Sequence, residues 1–387
     1  MIRRTLLIPA LLAGMAASTA LHVAPAAANP SILFDPATGR VIESDDAFHR
    51  WYPASLTKLM TTYVVFRAIQ SGELTFSSPV RISKKASELP PSKMGYKPGS
   101  VLTVDNALKI IMVKSANDVA MSLGESVAGS QAAFAEMMNA ESRRLGMTDS
   151  HWINPHGLHD DGQYTSPRDL ALLSVALRRD FPQYSDYFSI EGLLADGKEV
   201  PSHNNLLGRY DGADGMKTGY TCPSGFNLVA SASRNGRTLM AIVVGGESVE
   251  ARDEKAADLL SRGFAAAPGS GPSLAELRPA SAARNLPVNM YDQLCSKEVR
   301  AARAKKDKEL REAIKAGRAV RTVPIYSAEL PRPRRLVSVR LGGAQGPVPK
   351  AVAEAQAYAD VPIPTWRPDM PVPGLRTAEQ GDGATIR

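Results

Sequence analysis

The stretch Gly225-Phe226-Asn227-Leu228-Val229-Ala230-Ser231-Ala232-Ser233-Arg234-Asn235-Gly236-Arg237-Thr238-Leu239-Met240-Ala241-Ile242-Val243-Val244 decides the fold. Its halves, 226–233 and 237–244, are apolar runs of strand length. The Asn-Gly between them accepts the positive φ that a two-residue hairpin turn demands. A third strand-like run, 216–221, precedes them, and a helical period returns at 249–264. At the other end of the chain, Ile32-Leu33-Phe34-Asp35, Pro36-Ala37-Thr38-Gly39 and Arg40-Val41-Ile42-Glu43 read as strand, turn and strand. Between the ends lie helical patterns at 55–70, 104–111, 117–127, 132–145 and 166–177. The first places Leu59, Tyr63, Phe66 and Ile69 at three- and four-residue spacing, and the last carries Pro167 in its first turn. Strands at both ends with helices between predict an α/β (α+β) domain. Its antiparallel sheet joins the two ends of the chain and is flanked by a helical cluster.

Composition bounds what this domain does. The 387 residues are 44% hydrophobic and 22% charged, the balance of a soluble globular protein. A net charge of +7 raises the question of a nucleic-acid partner, so the position of the charge matters. Residues 266–387 hold 20 Lys and Arg against 12 Asp and Glu, whereas residues 1–265 hold 26 against 27. The excess belongs to the C-terminal third alone, which argues against nucleic acid.

At the N-terminus, Arg3 and Arg4 precede an uncharged apolar run over 5–20, and Ala26-Ala27-Ala28 supplies small residues for cleavage. The run contains Pro9 and Gly14 and is shorter than the ~20 residues of a comfortable spanning helix. Residues 1–28 are therefore expected to be a signal peptide, and the mature chain to be secreted into an oxidising compartment. There Cys222 and Cys295 could form a bridge or remain two separate thiols. Residues 29–265 are assigned to the catalytic unit. Residues 266–387 read as a basic, Pro/Ala-rich, low-complexity tail, partly helical or disordered. Within it, 266–279 reads as a linker, 296–319 as a charged helix without an apolar face, and the part after Gly342 as irregular. The tail offers weak, salt-screened contact with anionic membrane or cell wall. Deleting it from about Ala301 is expected to spare the chemistry.

Three short patterns carry that chemistry. Ser55-Leu56-Thr57-Lys58 opens a helix, and a spacing of three puts Ser55 and Lys58 on one face. A serine hydroxyl needs a base to become a nucleophile, and lysine serves only if burial or a nearby cation lowers its pKa. Ser115-Ala116-Asn117 lies between two helices, where a hydroxyl can relay a proton and an amide can hold a substrate backbone. Lys217-Thr218-Gly219 lies on a strand, where glycine lets a substrate backbone approach and the other two can bind a carboxylate. Each pattern alone has a plainer reading: a helix cap with a solvated lysine, a second cap, and an edge strand guarded by lysine. Their joint order and settings are those of penicillin-binding proteins and active-site-serine β-lactamases.

With Pro53-Ala54-Ser55-Leu56-Thr57-Lys58, Asn154-Pro155-His156-Gly157-Leu158 and Gly225-Phe226-Asn227-Leu228-Val229-Ala230-Ser231-Ala232, the stretch 32–264 resembles the low-molecular-mass D-alanyl-D-alanine carboxypeptidases, peptidase family S11. The resemblance implies a serine β-lactamase/transpeptidase-like fold. It also implies a peptidoglycan stem peptide ending in D-Ala-D-Ala as substrate, β-lactams as inhibitors, and no metal or organic cofactor. Ser55 would be acylated, Lys58 would take its proton, and Ser115 would be a second active-site hydroxyl. Asn117 would hold substrate, and Lys217, Thr218 and Gly219 would receive its terminal carboxylate and backbone. The N–H groups of Ser55 and Tyr220 would form the oxyanion hole, with Arg252 nearby. The chain departs from the family in two ways. Tyr220 stands where some relatives have histidine, and 266–387 shows neither a β-rich second domain nor a terminal amphipathic anchor.

Three alternatives share these motifs: a D,D-endopeptidase, a β-lactamase and an inactive peptidoglycan-binding module. A β-lactamase is disfavoured because no Glu-x-x-x-Asn precedes Lys217. A zinc peptidase using His156, His159 and His151 beside Asp160 and Asp161 is also disfavoured, since these lie in a Pro/Gly-rich loop and the serine set is complete.

Overall fold

The computed structural model describes residues 29–268, 271–281, 286–318, 320, 326, 330–350 and 352–353. Residues 1–28, expected to be a signal peptide, and the end of the tail lie outside them. In chain order the elements begin with strands β1 (Ser31–Phe34) and β2 (Val41–Asp45) and helix α1 (Thr57–Gln70). Strand β3 (Pro79–Arg81), helix α2 (Lys84–Glu88) and strand β4 (Val101–Thr103) come next. Helices α3 (Val104–Val113), α4 (Asn117–Ala128), α5 (Gln131–Leu145) and α6 (Pro167–Asp180) then form the helical cluster. The chain continues through β5 (Gly192–Ala195), β6 (Lys198–Pro201), β7 (Ala213–Thr221), β8 (Gly225–Arg234), β9 (Arg237–Gly246) and α7 (Val249–Ala265). Helices α8 (Tyr291–Leu294) and α9 (Lys297–Lys315) and strand β10 (Leu336–Val339) complete it.

The main sheet runs β2-β1-β9-β8-β7, and every neighbouring pair in it is antiparallel. β1 lies against β9, pairing Ile32 with Ile242, so the two ends of the domain meet as the sequence predicts. Asn235 and Gly236 both take positive φ, 50° and 76°, and Arg234 pairs with Arg237 across the turn. The apolar residues of β8 and β9 alternate between two cores. Val229, Ile242 and Val244 face the helices, whereas Leu228, Val243 and Leu239 pack under α7 with Leu259 and Leu260.

Helix α1 has almost no wet face. From Thr57 to Ala68 every residue but Arg67 is buried, so this helix forms the centre of the cluster. Two of its hydroxyls find backbone acceptors, with Thr57 Oγ1 on Ala54 O at 2.8 Å and Thr61 Oγ1 on Pro155 O at 2.6 Å. A lysine in such a helix is held without bulk water. That is what positions the site.

The tail differs from its expectation. β10 pairs in parallel with β5, which forms a hairpin with β6, making a second sheet that the sequence does not announce. Glu191, 3% exposed, accepts from Arg332 at 2.8 and 2.9 Å and from the backbone and side chain of Arg335 at 3.1 and 3.0 Å. Beyond the strand, Asn106 Nδ2 donates to Arg340 O at 2.9 Å, and Gly342 N donates to Val101 O at 2.7 Å. A Cβ on Gly346 would lie 2.3 Å from Thr75 Oγ1. Residues 330–346 are thus a strap laid on the catalytic domain, and truncation at Ala301 would strip it off. Helix α9 fits its expectation: it forms, and none of its residues is buried. Cys222 and Cys295 are bridged, with Cα atoms 5.8 Å apart, which ties α8 and the root of α9 beside the end of β7.

Candidate active site

The chain enters α1 through a tight turn. Ala54 is left-handed (φ 47°) and Ala54–Leu56 form one turn of 3-10 helix, with Ser55 the member that reaches solvent. Two glycines allow neighbours to close on this turn. A Cβ on Gly219 of β7 would lie 3.0 Å from Ser55 N, and one on Gly157 (φ 84°) would lie 1.8 Å from Ala54 O.

Lys58 is fully buried one turn on. Its Nζ lies 3.0 Å from Ser55 Oγ and 2.9 Å from Asn117 Oδ1, and the carbonyl of His156 also accepts from it. No carboxylate touches it. Burial pushes its pKa well below that of an ordinary lysine, and the charge of Lys217 adds to this, opposed by Asp118.

Ser115 sits between α3 and α4 with φ 61°. Ala116, not Ser115, is the N-cap of α4, so the plain capping reading fails. Asn117 is clamped on its other side, its Nδ2 donating to Pro90 O at 3.0 Å and its N to Ser92 O at 2.7 Å. Ser115 Oγ accepts from Lys217 Nζ at 3.0 Å, and that ammonium also donates to Thr218 O at 2.9 Å. Lys217 is 1% exposed, so it is no edge-strand guard; burial, then Arg252, brings it down to about 7. Ser55, Lys58 and Asn117 thus form one hydrogen-bonded group and Ser115 and Lys217 a second, with Lys217 close enough to act on Lys58.

The remaining expected residues border them. Thr218, Gly219, Tyr220 and Arg252 line the cleft onto which Ser55 opens, a space of about 910 Å³. Arg252 is buried and reaches Asp253 Oδ1 through Nε at 2.8 Å. Tyr220 turns its ring onto Phe226, with centroids 4.2 Å apart, and its hydroxyl lies 3.2 Å from Cys295 Sγ. The histidines weighed as metal ligands face separate partners. His156 Nδ1 accepts from Leu158 N at 3.1 Å, His159 Nε2 meets Asp161 at 3.2 Å, and His151 Nδ1 meets Gly162 O at 2.9 Å.

A family model described as D-alanyl-D-alanine carboxypeptidase, peptidase S11, matches residues 16–248. The chain belongs to this family. Among curated S11 relatives, D-alanyl-D-alanine carboxypeptidase DacD of Escherichia coli (strain K12) is 37% identical over 239 residues, covering 60% of this chain and 62% of its own length. The match thus spans less than two thirds of that relative. Among solved structures, penicillin-binding protein 5 from Haemophilus influenzae superposes with a TM-score of 0.60 at 33% identity, over 62% of this S11 chain and 71% of that one. Penicillin-binding protein D2 from Listeria monocytogenes, in its ampicillin-bound form, gives 0.57 at 28% identity, over 62% and 98%. The S11 fold therefore covers the helical cluster and the main sheet.

Sequence reasoning missed several residues of the S11 cleft. Lys93 and Lys114 line it next to Ser92 and Ser115, and His203 lines it from the wall after β6. His203 is lowered to about 4 by burial, then by Lys217 and Lys114, so it is neutral at pH 7. Asn204 ties this wall to β7 by donating to Gly215 O at 3.0 Å. The tail's Arg334 also lines the cleft. His203 and Asn204 lie in Ser202-His203-Asn204, which repeats the Ser-x-Asn pattern of Ser115-Ala116-Asn117 but comes too close before Lys217 for the expected order; Lys93, Lys114 and Arg334 sit in no motif, and adjacency to Ser115 was the signal available for Lys114.

Proposed function

We propose that this protein is a serine D-alanyl-D-alanine carboxypeptidase that trims peptidoglycan stem peptides through an acyl-enzyme on Ser55. One observation carries the reading: a fully buried Lys58, its pKa driven down, lies 3.0 Å from Ser55 Oγ. A neutral amine has two N–H donors and one lone pair. Asn117 Oδ1 and His156 O take the donors, which turns the lone pair to the Ser55 hydroxyl.

Ser55 Oγ attacks the carbonyl of the penultimate D-alanine as Lys58 accepts its proton. The N–H groups of Ser55 and Tyr220 receive the negative oxygen at the close approach that Gly219 permits. Ser115, hydrogen-bonded to Lys217, relays a proton to the departing amine. Lys217 and Thr218 bind the terminal carboxylate, with Arg252 supporting them, and Asn117 positions the peptide while holding Lys58. Water then hydrolyses the ester. Binding that carboxylate raises the affinity of Lys217 for its own proton, so a site poised near 7 becomes charged as substrate arrives.

β-Lactams acylate Ser55 in the same way, a reading favoured by the ampicillin-bound relative. Residues 29–265 with the strap form the working unit, exported to the periplasm by 1–28, where the basic tail makes weak contact with anionic membrane or cell wall. Among the described residues no helix is long and apolar enough to cross a membrane. The test is to incubate the purified protein and its Ser55→Ala variant with a muropeptide pentapeptide and a crosslinked dimer, and to weigh the products. Loss of one alanine from the pentapeptide by the unaltered protein alone supports the reading. Cleavage of the dimer alone would make it an endopeptidase, and no cleavage of either would refute it.

A further inference from the structure

Among the described residues four cationic side chains line the cleft, Lys93, Lys114, Arg252 and Arg334, and no Asp or Glu does. This contrasts with the near-neutral balance of residues 1–265 as a whole. A single terminal carboxylate, received by Lys217 and Thr218, leaves most of that charge without an anionic partner in the cleft. One of the four comes from the tail. In the strap, Arg332 and Arg335 are committed to Glu191 and fix the segment, while Arg334, between them, takes another course. Its Nη1 donates to Glu199 Oε1 of β6 at 2.9 Å, and its side chain forms cleft wall beside Pro201 and Ser202. A guanidinium has five donors, so one contact with Glu199 leaves an edge for another carboxylate.

The position of this wall says which part of a substrate it meets. Asn204 holds the wall to the backbone of β7 at Gly215, two residues before Lys217. Of the cations that act on His203, the wall's middle residue, Lys217 acts most strongly, then Lys114 and Arg252, and Lys58 beside Ser55 least. The wall therefore belongs to the end of the cleft where the terminal carboxylate is received, the end from which the leaving residue departs.

We propose that Arg334 is a specificity-determining residue at this end, where it binds a second carboxylate carried by the departing residue. The inference rests on the carboxypeptidase reading for its orientation. It makes the strap a part of the binding site and gives the protein a preference for dicarboxylic D-residues over D-alanine at the C-terminus.

The test uses two peptides identical through the penultimate D-alanine, one ending in D-alanine and the other in D-glutamate. Each is titrated against the full-length Ser55→Ala protein, so that binding is read without turnover. The D-glutamate peptide should bind about fivefold tighter, the scale of one partly exposed charge-assisted contact. Adding Arg334→Gln should bring the two affinities within about twofold of each other, and Arg334→Lys, a point charge without the fork, should keep part of the preference. Glu199→Gln, which unhooks Arg334 but spares its charge, should keep the preference. Equal binding of the two peptides by the parent, or a preference that survives Arg334→Gln, overturns the proposal. So does a Glu199→Gln variant that loses the preference, which would assign it to strap packing. Turnover of the D-alanine peptide by the unaltered protein is measured separately; its failure would remove the carboxypeptidase reading and leave the binding comparison standing.

Discussion

Two of the places where this molecule buries charge do so in opposite ways. Under the strap, Glu191 is 3% exposed and meets two arginines, whose contacts hold its carboxyl down to about 2. Beside Ser55, Lys58 of α1 and Lys217 of β7 are buried as completely, yet their hydrogen-bond partners are hydroxyls, an amide and carbonyls. A paired charge stays charged and fastens one segment to another. An unpaired one is driven toward neutrality and becomes a base or a proton-sensitive binding group. At these two places the counter-ions decide which of the two the buried side chain becomes.

Removing the unpaired cation should have the largest effect. Lys58→Ala should lower the rate of Ser55 acylation by about 10²–10⁴-fold, the usual contribution of a general base, with a melting temperature at or above that of the parent. A variant that loses its fold together with its rate would show that Lys58 acts as structure, as Glu191 does.

The disulfide ties the tail to the catalytic strand at a second point. Cys222→Ser or reduction opens a loop of 73 residues and should cost about 4 kcal/mol in the chain-entropy model, read as a lower denaturation midpoint. Unchanged stability on reduction would mean that the strap alone holds the tail.

The paired charge should give a smaller effect with a definite pH signature. Glu191 has its pKa lowered from 4.5 to about 2, so it binds its proton less readily folded than unfolded. Its contribution is therefore present above about 4.5 and is lost as pH falls toward 2. Both arginines are partly exposed, so Glu191→Gln should cost about 1–2 kcal/mol at neutral pH. That cost should vanish near pH 2, as followed by urea denaturation at several pH values. The smallest effect is expected from replacing the basic residues of α9 by Gln. No residue of that helix is buried, so stability should move by less than about 0.5 kcal/mol and turnover in solution should not change.

The readable parts of the sequence were those with a local cause. Asn235-Gly236 fixes its hairpin by its own φ preferences, and Ser55 and Lys58 share a face by helical spacing alone. The strap had no such signature. Leu336-Val337-Ser338-Val339 is four residues long and becomes a strand because β5 offers it an edge and Glu191 holds its arginines. Those partners lie some 140 residues away, beyond the reach of periodicity. The same holds at the site. The motif put Lys217 on a strand, but its burial and its contact with Ser115 come from three elements packing together. Cys222 and Cys295 left both outcomes open until distance decided between them.

On this account Lys58 gives up its proton far more readily than an ordinary lysine and receives the proton of Ser55. The most direct measurement is the pH dependence of Ser55 acylation by a fluorescent penicillin, followed in a single turnover, with the labelled residue identified by mass. The rate should rise with pH to a plateau whose midpoint lies well below 10.5, the value of an ordinary lysine, and Lys58→Ala should abolish that rise. A rate still climbing through 10.5, or the same profile without Lys58, would contradict the claim.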